Sequence, residues 1–172
     1  MTFDIFNRHA DKIEMANVAQ TINCLHSLFA AVGDKYTRTP AYYTFELYRP
    51  HMGGRLVPLK ISLPELTVPL LEGTGRLPGL SGSASLRDQT LTVTLTNPSL
   101  QEKVVARIRL TGGARLREAL ATVLTHEDMR ATNTFERPDE VHLGPLPAQV
   151  AGETVTLTIP KQAVVAVSLR LA

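Results

Sequence analysis

Residues 90–96 read TLTVTLT, and this stretch decides the fold class because apolar and polar side chains alternate strictly along it. Leu91, Val93 and Leu95 fall on one side of an extended chain, and the threonines between them fall on the other. A helix would instead place its apolar residues three and four positions apart. The stretch therefore predicts a β-strand with one buried face.

The same alternation recurs in three other stretches, and turn-forming residues separate the stretches at intervals of about ten residues. A hairpin turn is expected at residues 87–89, and Gly112 and Gly113 mark a chain break. Together these features predict a mainly β fold, an antiparallel and jelly-roll-like β-sandwich spanning residues 53–172. The other alternating apolar positions are Val104, Ala106, Ile108 and Leu110; Val155, Leu157 and Ile159; and Val165, Val167, Leu169 and Leu171.

Three stretches of the sandwich region are less regular. Residues 117–124 have a helix-forming composition, which conflicts with a sandwich strand. Residues 132–147 contain three prolines and little periodicity, so an extended strap over the surface is expected. Residues 79–83, GLSGS, resemble a nucleophile elbow only superficially, because the second glycine falls one place early. A polar turn is the prediction there.

The N-terminal part has a different texture. Residues 10–29, ADKIEMANVAQTINCLHSLF, carry apolar residues at helical spacing, yet their nearly unbroken apolar run also suits a parallel strand buried on both faces. Periodicity leaves both alternatives open. Residues 2–9 are amphipathic but too short for a stable isolated helix. Pro40 opens a predicted helix over residues 41–48, with Tyr42, Phe45, Leu47 and Tyr48 facing inward.

Composition limits the function classes. The 172 residues carry 18 basic and 16 acidic side chains without a basic cluster, so neither nucleic acid nor a membrane is an expected partner. Cys24 is the only cysteine and the five histidines are scattered, which predicts no disulfide, metal or other cofactor and suits a cytoplasmic protein. The absence of tryptophan argues against a free-standing sugar-binding module.

Two amides stand where a barrel strand would end. Gln20 and Asn23 offer the donors and acceptors that fix sugar hydroxyls, and polar side chains at strand ends form the active sites of α/β barrels. A helix cap or a buried, satisfied amide is the alternative for both. Glu14 is the carboxylate nearest to them, and a solvated surface charge is its expected role.

Four segments resemble the C-terminal part of α-L-arabinofuranosidases of glycoside hydrolase family 51. They occur in the family's order, with comparable gaps, along nearly the whole chain. The segments are IFNRHADKIEMANVAQTINCL (residues 5–25), TPAYYTFELYRPHMGG (residues 39–54), NTFERPDEV (residues 133–141) and LTIPKQAVVAVSL (residues 157–169).

The resemblance implies a (β/α)8 barrel whose last strand and helix lie in residues 1–52, followed by the sandwich in residues 53–172. Residues 12–20 would form the eighth barrel strand, and residues 117–124 would be extended rather than helical. Gln20 matches the family glutamine that binds the arabinofuranosyl ring, so it is the one substrate-binding residue expected. Cys24 and His26 depart from the family, which more often has an aliphatic residue and a glutamine there.

The resemblance also implies a function. Family members release terminal arabinofuranosyl residues from arabinan, arabinoxylan and their oligosaccharides with retention of configuration, using two glutamates on earlier barrel strands. Neither glutamate matches a position of this chain, so no catalytic residue is expected and the isolated chain should be inactive. Its expected partners are the rest of the barrel, an arabinofuranosyl-containing saccharide and further copies in a homo-oligomer. A carbohydrate-binding module and a structural or assembly domain remain alternatives.

Overall fold

The computed structural model describes residues 1–17 and 20–172. None of the helices in these two ranges has the length and apolar character that crossing a bilayer would require. The helices are α1 (Thr2–Arg8) and α2 (Pro40–Tyr48), the latter continued by a 3-10 turn at Arg49–His51. The strands are β1 (Phe29–Val32), β2 (Lys35–Arg38), β3 (Arg55–Val57), β4 (Leu66–Pro69), β5 (Thr74–Leu77), β6 (Ser81–Arg87), β7 (Thr90–Asn97), β8 (Val104–Arg109), β9 (Leu116–Leu124), β10 (Leu143–Leu146), β11 (Ala148–Ala151), β12 (Thr154–Ile159) and β13 (Ala163–Leu171).

Two antiparallel sheets enclose the main core. The larger has six strands in the order β10-β9-β13-β7-β6-β3, and the smaller has three in the order β11-β12-β8. The apolar side chains of β7, β12 and β13 meet between them and are almost completely buried, because every second residue of each strand points inward. The predicted β-sandwich and all four of its alternating strands are confirmed. The chain is mainly β, as expected.

The outer face of the six-stranded sheet is polar where β6 and β7 lie. In the register of β6 and β7, three serines lie opposite three threonines: Ser81 opposite Thr96, Ser83 opposite Thr94, and Ser85 opposite Thr92. These six hydroxyl residues, which we call the hydroxyl face, are buried although they point away from the core. Helix α1 and the 3-10 turn cover them. A polar alternation that normally meets water therefore serves here as a docking surface.

Both N-terminal helices pack on this sheet. Phe3 of α1 lies edge-on to Phe45 and Tyr48 of α2, with ring centroids 4.8 and 5.1 Å away. The predicted helix over residues 41–48 is confirmed, and the hydroxyl of Thr39 caps it by accepting from the amide of Tyr42. Tyr43 is buried together with Leu47 and Tyr48, so the inward face includes a tyrosine that the sequence analysis left out. Residues 2–8 are helical despite their short length because tertiary packing stabilises them.

Three expectations for the sandwich are corrected or resolved. The GLSGS stretch is not a polar turn, because Ser81 to Ser83 begin strand β6 and are buried against α1. The strap ends at residue 142, since Leu143–Leu146 pair with β9 as strand β10. Residues 117–124 are extended, and the helix suggested by their composition is wrong because β9 pairs on both sides, with β10 and β13.

The stretch 10–28 is neither strand nor helix in its described residues, apart from a single bridge between Ile22 and Phe29. The helical alternative is wrong for these residues, since Asn23 and His26 both adopt positive φ, which interrupts a helix. Val18 and Ala19, which belong to both predicted elements, lie outside the described residues. A parallel strand takes hydrogen bonds from neighbouring strands, so the eighth-strand interpretation applies to a complete barrel and stays a prediction.

Candidate functional site

Gln20 lies on the connection between α1 and the β1–β2 hairpin, with its side chain exposed to solvent. The chain immediately after it is fixed. The carbonyl of Thr21 accepts hydrogen bonds from the amides of Leu28 and Phe29, at 3.0 and 3.1 Å. The residues between form a tight loop that returns to β1. The loop that follows Gln20 is therefore held in place by hydrogen bonds to Thr21.

Asn23 holds this loop to the hairpin. Its side-chain amide donates to the carbonyl of Ala31, and its side-chain oxygen accepts from the amide of the same residue, both at 2.7 Å. Because both polar atoms bond to backbone, Asn23 has a structural role, although it is an exposed residue and not the helix cap or buried amide expected as the alternative to sugar binding. Gln20 is thus separated from Asn23: one amide is committed to the fold and the other faces solvent.

The next part of the chain is tied at two points. The hydroxyl of Thr39 donates to the carbonyl of Ser27 at 2.6 Å, which closes the base of the hairpin where α2 begins. Asn133, the first residue of the NTFERPDEV segment, is buried and donates to the carbonyls of Arg38 and Val141, each at 2.9 Å. The surface strap is thereby fastened to β2. The NTFERPDEV segment contributes to the architecture through this amide.

Asp4 lies at the centre of a buried polar cluster between α1, α2 and the hydroxyl face. Its side chain is completely buried, and the Tyr48 hydroxyl donates to its Oδ1 at 2.7 Å. Four strand hydroxyls donate to the same carboxylate: Ser83 at 3.2 Å and Thr94 at 3.1 Å to Oδ1, and Ser81 at 2.9 Å and Thr96 at 3.3 Å to Oδ2. A buried charge needs such a shell of donors.

His51 extends this cluster. Its Nε2 lies 3.1 Å from the Thr94 hydroxyl, and its Nδ1 lies 2.7 Å from the Ser85 hydroxyl. The Thr94 hydroxyl also lies 3.1 Å from Asp4 Oδ1 and 2.9 Å from the Ser83 hydroxyl, so it connects the imidazole to the carboxylate. Both ring nitrogens of His51 therefore have a hydroxyl partner.

Burial sets the protonation of the two ring side chains. It lowers the pKa of His51 to about 4, against the partly opposing effect of the Asp4 charge. Burial also raises the pKa of Tyr48, and the negative charge of Asp4 acts in the same direction. The imidazole is consequently neutral near pH 7, and the phenol keeps the proton that it donates to Asp4.

The remaining residues singled out from the sequence are dispersed. Glu14 is exposed, His26 is exposed and Cys24 is half-buried. Among residues 1–17 and 20–172, no three metal-binding side chains converge. Four surface grooves with volumes between about 470 and 600 Å³ lie along the sandwich, and Gln20 lines none of these four. Within the described residues, Gln20 thus stands on an open surface.

Comparison with known proteins shows which family the chain belongs to. A family model described as the alpha-L-arabinofuranosidase C-terminal domain matches residues 1–163. The chain belongs to this family. The match begins ahead of the sandwich, so the two helices and the connection that carries Gln20 are part of the family's domain.

Individual relatives of this arabinofuranosidase C-terminal domain agree. An intracellular exo-alpha-L-arabinofuranosidase of Bacteroides ovatus is 26% identical over 99% of this chain and 33% of its own length. An exo-alpha-(1->6)-L-arabinofuranosidase of Bifidobacterium longum is 26% identical over 89% of this chain and 30% of its own length. The crystal structure of a family 51 arabinofuranosidase from Xanthomonas axonopodis pv. citri superposes with a TM-score of 0.89 and 30% identity, covering 98% of this chain and 34% of that one. The chain spans about a third of the length of these relatives.

Sequence reasoning missed the most connected residue of this arabinofuranosidase domain. Asp4 stands in the short amphipathic segment of residues 2–9, for which the sequence predicts no site residue. The partners of Asp4 lie in stretches of sequence far from it. The serines of β6 and the threonines of β7 also occupy the alternate positions that usually face water, so they are not expected to be buried. Two neighbouring strands with hydroxyls on the same face, and a lone acid in an apolar helix, are the pattern that could have predicted the cluster.

Proposed function

We propose that this chain is the C-terminal part of a retaining α-L-arabinofuranosidase that releases terminal arabinofuranosyl residues from arabinan, arabinoxylan or their oligosaccharides. The observation that supports it is the family match over residues 1–163, together with relatives that are named arabinofuranosidases and are about three times longer. The Bacteroides relative is named intracellular, which favours action inside the cell.

Within that enzyme the chain would contribute binding rather than bond cleavage. In a retaining mechanism one carboxylic acid protonates the leaving oxygen while a second carboxylate attacks the anomeric carbon, and water then hydrolyses the glycosyl-enzyme. The preceding two-thirds of the protein would supply both groups. Gln20 would donate from its amide nitrogen and accept at its oxygen, which suits adjacent hydroxyls of the arabinofuranosyl ring.

The first experiment compares the 172-residue chain with a longer protein that contains the upstream barrel sequence in the same reading frame. Both would be incubated with 4-nitrophenyl α-L-arabinofuranoside. We expect turnover only from the longer protein, because one amide cannot replace an acid and a nucleophile. Turnover by the short chain that survives repurification would contradict the proposal.

The role of Gln20 is tested in the longer protein by Gln20→Ala, with Gln101→Ala as the control. Gln101 is an exposed glutamine on the turn between β7 and β8, outside the predicted barrel strand. We expect Gln20→Ala to lower kcat/KM by about 10- to 100-fold, because a sugar hydroxyl loses its partner, and to leave the melting temperature unchanged. Gln101→Ala should change neither. Equal kinetics for the two variants would remove Gln20 from the site.

A calorimetric titration separates this function from a binding module. Arabino-oligosaccharides added to the 172-residue chain should give no saturable heat, because the ring-binding site needs groups from the barrel. Saturable binding by the short chain would favour the carbohydrate-binding alternative.

A further inference from the structure

The carboxylate of Asp4 joins two helices that stand on either side of the Gln20 connection. Helix α1 ends at Arg8, the connection and the β1–β2 hairpin occupy residues 9–39, and α2 follows. The hydroxyl of Tyr48, the last residue of α2, donates to Asp4 at 2.7 Å. A single side chain therefore closes a ring of chain that begins in α1 and returns in α2.

Other contacts fasten the C-terminal part of this ring. The Thr21 carbonyl holds Leu28 and Phe29, and the Thr39 hydroxyl holds Ser27. The C-terminal side of the ring is thus fastened from Thr21 to α2. Its N-terminal side depends on the position of α1, which the cluster around Asp4 fixes.

The polar cluster around Asp4 is better suited to fixing the orientation of α1 on the sheet than to simply holding the helix there. Apolar residues of similar volume would hold a helix on a sheet with less desolvation cost, whereas five directed hydrogen bonds are satisfied in one placement only. Two further residues of α1 bond to strand β6. Asn7 donates to the Ser83 hydroxyl at 3.0 Å, and Arg8 donates to the Gly82 carbonyl at 2.8 Å. All these donors and acceptors tolerate little displacement of α1.

From this geometry we infer that Asp4 is a positioning residue, which fixes both ends of the segment 9–39 on the sandwich and thereby sets where Gln20 stands. The consequence for substrate rests on the function proposed above. The consequence for the segment itself does not.

The test is hydrogen–deuterium exchange of the 172-residue chain and its Asp4→Asn variant, followed by mass spectrometry. Asparagine keeps the shape of Asp4 but removes its charge and replaces one acceptor oxygen by a donor. We expect exchange to accelerate about tenfold or more in α1, residues 20–39 and α2, with β12 and β13 unchanged. Asp11→Asn, which removes an exposed charge beyond the same helix, is the matched control and should behave as the parent.

Two results would overturn the inference. Faster exchange confined to α1 would mean that Asp4 does not fix the C-terminal end of the segment 9–39. Equal acceleration in the helices and in β12 and β13 would mean that Asp4 only contributes to global stability. If Asp4→Asn does not fold, Tyr48→Phe decides, because it removes only the hydroxyl that joins α2 to the carboxylate. Faster exchange in residues 20–48 would then support the inference, and unchanged exchange would refute it.

A second readout follows the substrate in the longer, barrel-containing protein. Asp4→Asn should lower kcat/KM about tenfold, and it should add little to the loss caused by Gln20→Ala, because one residue acts through the other. Fully additive losses would contradict this. Should the longer protein show no arabinofuranosidase activity, the proposed function fails while the exchange experiment still decides the role of Asp4.

Discussion

His51 makes the fold sensitive to pH at the scale of one residue. Its pKa is about 4 in the folded chain and about 6.5 when solvated, so between these values the unfolded state binds more protons than the folded state. The contribution of the neutral His51 to the free energy of unfolding is therefore fully present above about pH 6.5. It is lost progressively as the pH falls towards 4, and it changes no further below pH 4. At most about 3 kcal/mol of unfolding free energy is involved.

We expect His51→Gln to flatten this dependence. Urea unfolding of the parent and the variant between pH 7.5 and 4.5 gives the difference in slope, and His9→Gln, at an exposed histidine, should keep the parental slope. An unchanged slope in His51→Gln would show that the imidazole is solvated in the folded chain.

Single residues were the hardest part of the structure to predict from sequence. Gln20 was selected through a family resemblance, and its contact with substrate stays a prediction. Asn23 is exposed, and both polar atoms of its amide bond to nearby backbone, as those of an asparagine beside a turn readily do. Asp4 was missed because its partners lie between 44 and 92 residues away along the chain. Local pattern contains no information about such contacts.

At the scale of elements, the close approach of β6 and β7 places a strict limit on Gly82. A Cβ added there would lie 2.7 Å from the carbonyl oxygen of Thr94, which is backbone and cannot move aside cheaply. We expect Gly82→Ala to lower the free energy of unfolding by roughly 1–3 kcal/mol, measured by urea denaturation.

Gly144 is the matched control for this substitution, since it also lies in a strand but has open space at its Cβ. Gly144→Ala should be neutral or slightly stabilising. Equal midpoints for the two variants would mean that β6 and β7 separate more easily than their register indicates.

The elements themselves were largely predictable where alternation was strict. Strands β7, β8, β12 and β13 follow directly from it, and α2 follows from Pro40 and its apolar face. Prediction failed where composition and partners disagreed. Residues 117–124 look helical in isolation but pair on both sides, and Ser81 and Ser83 look like a turn but face α1.

At the scale of the whole molecule, the connection and the β1–β2 hairpin present apolar side chains to solvent. Met15, Leu25, Val32 and Tyr36 are each at least two-thirds exposed. If the rest of a barrel normally covers them, the 172-residue chain should self-associate, and light scattering should give a mass that rises with concentration. The division into residues 1–52 and 53–172 likewise stays a prediction.

The variant Met15→Ser/Leu25→Ser should reduce this association. Leu71→Ser is the control, because Leu71 is at least as exposed as Met15 and Leu25 but lies between β4 and β5, away from the connection. A clean monomer at every concentration, or an equal effect of the control, would contradict the expectation.

The hydroxyl face also has a consequence for the order in which the chain folds. Asp4 leaves the ribosome 92 residues before its partner Thr96. During synthesis, α1 must therefore wait, with its carboxylate in water, until β6 and β7 have left the ribosome and paired. Helix α1, although it is made before the strands that it contacts, is thus expected to be among the last elements of the sandwich region to dock, and the slowest phase of refolding should report the burial of Asp4.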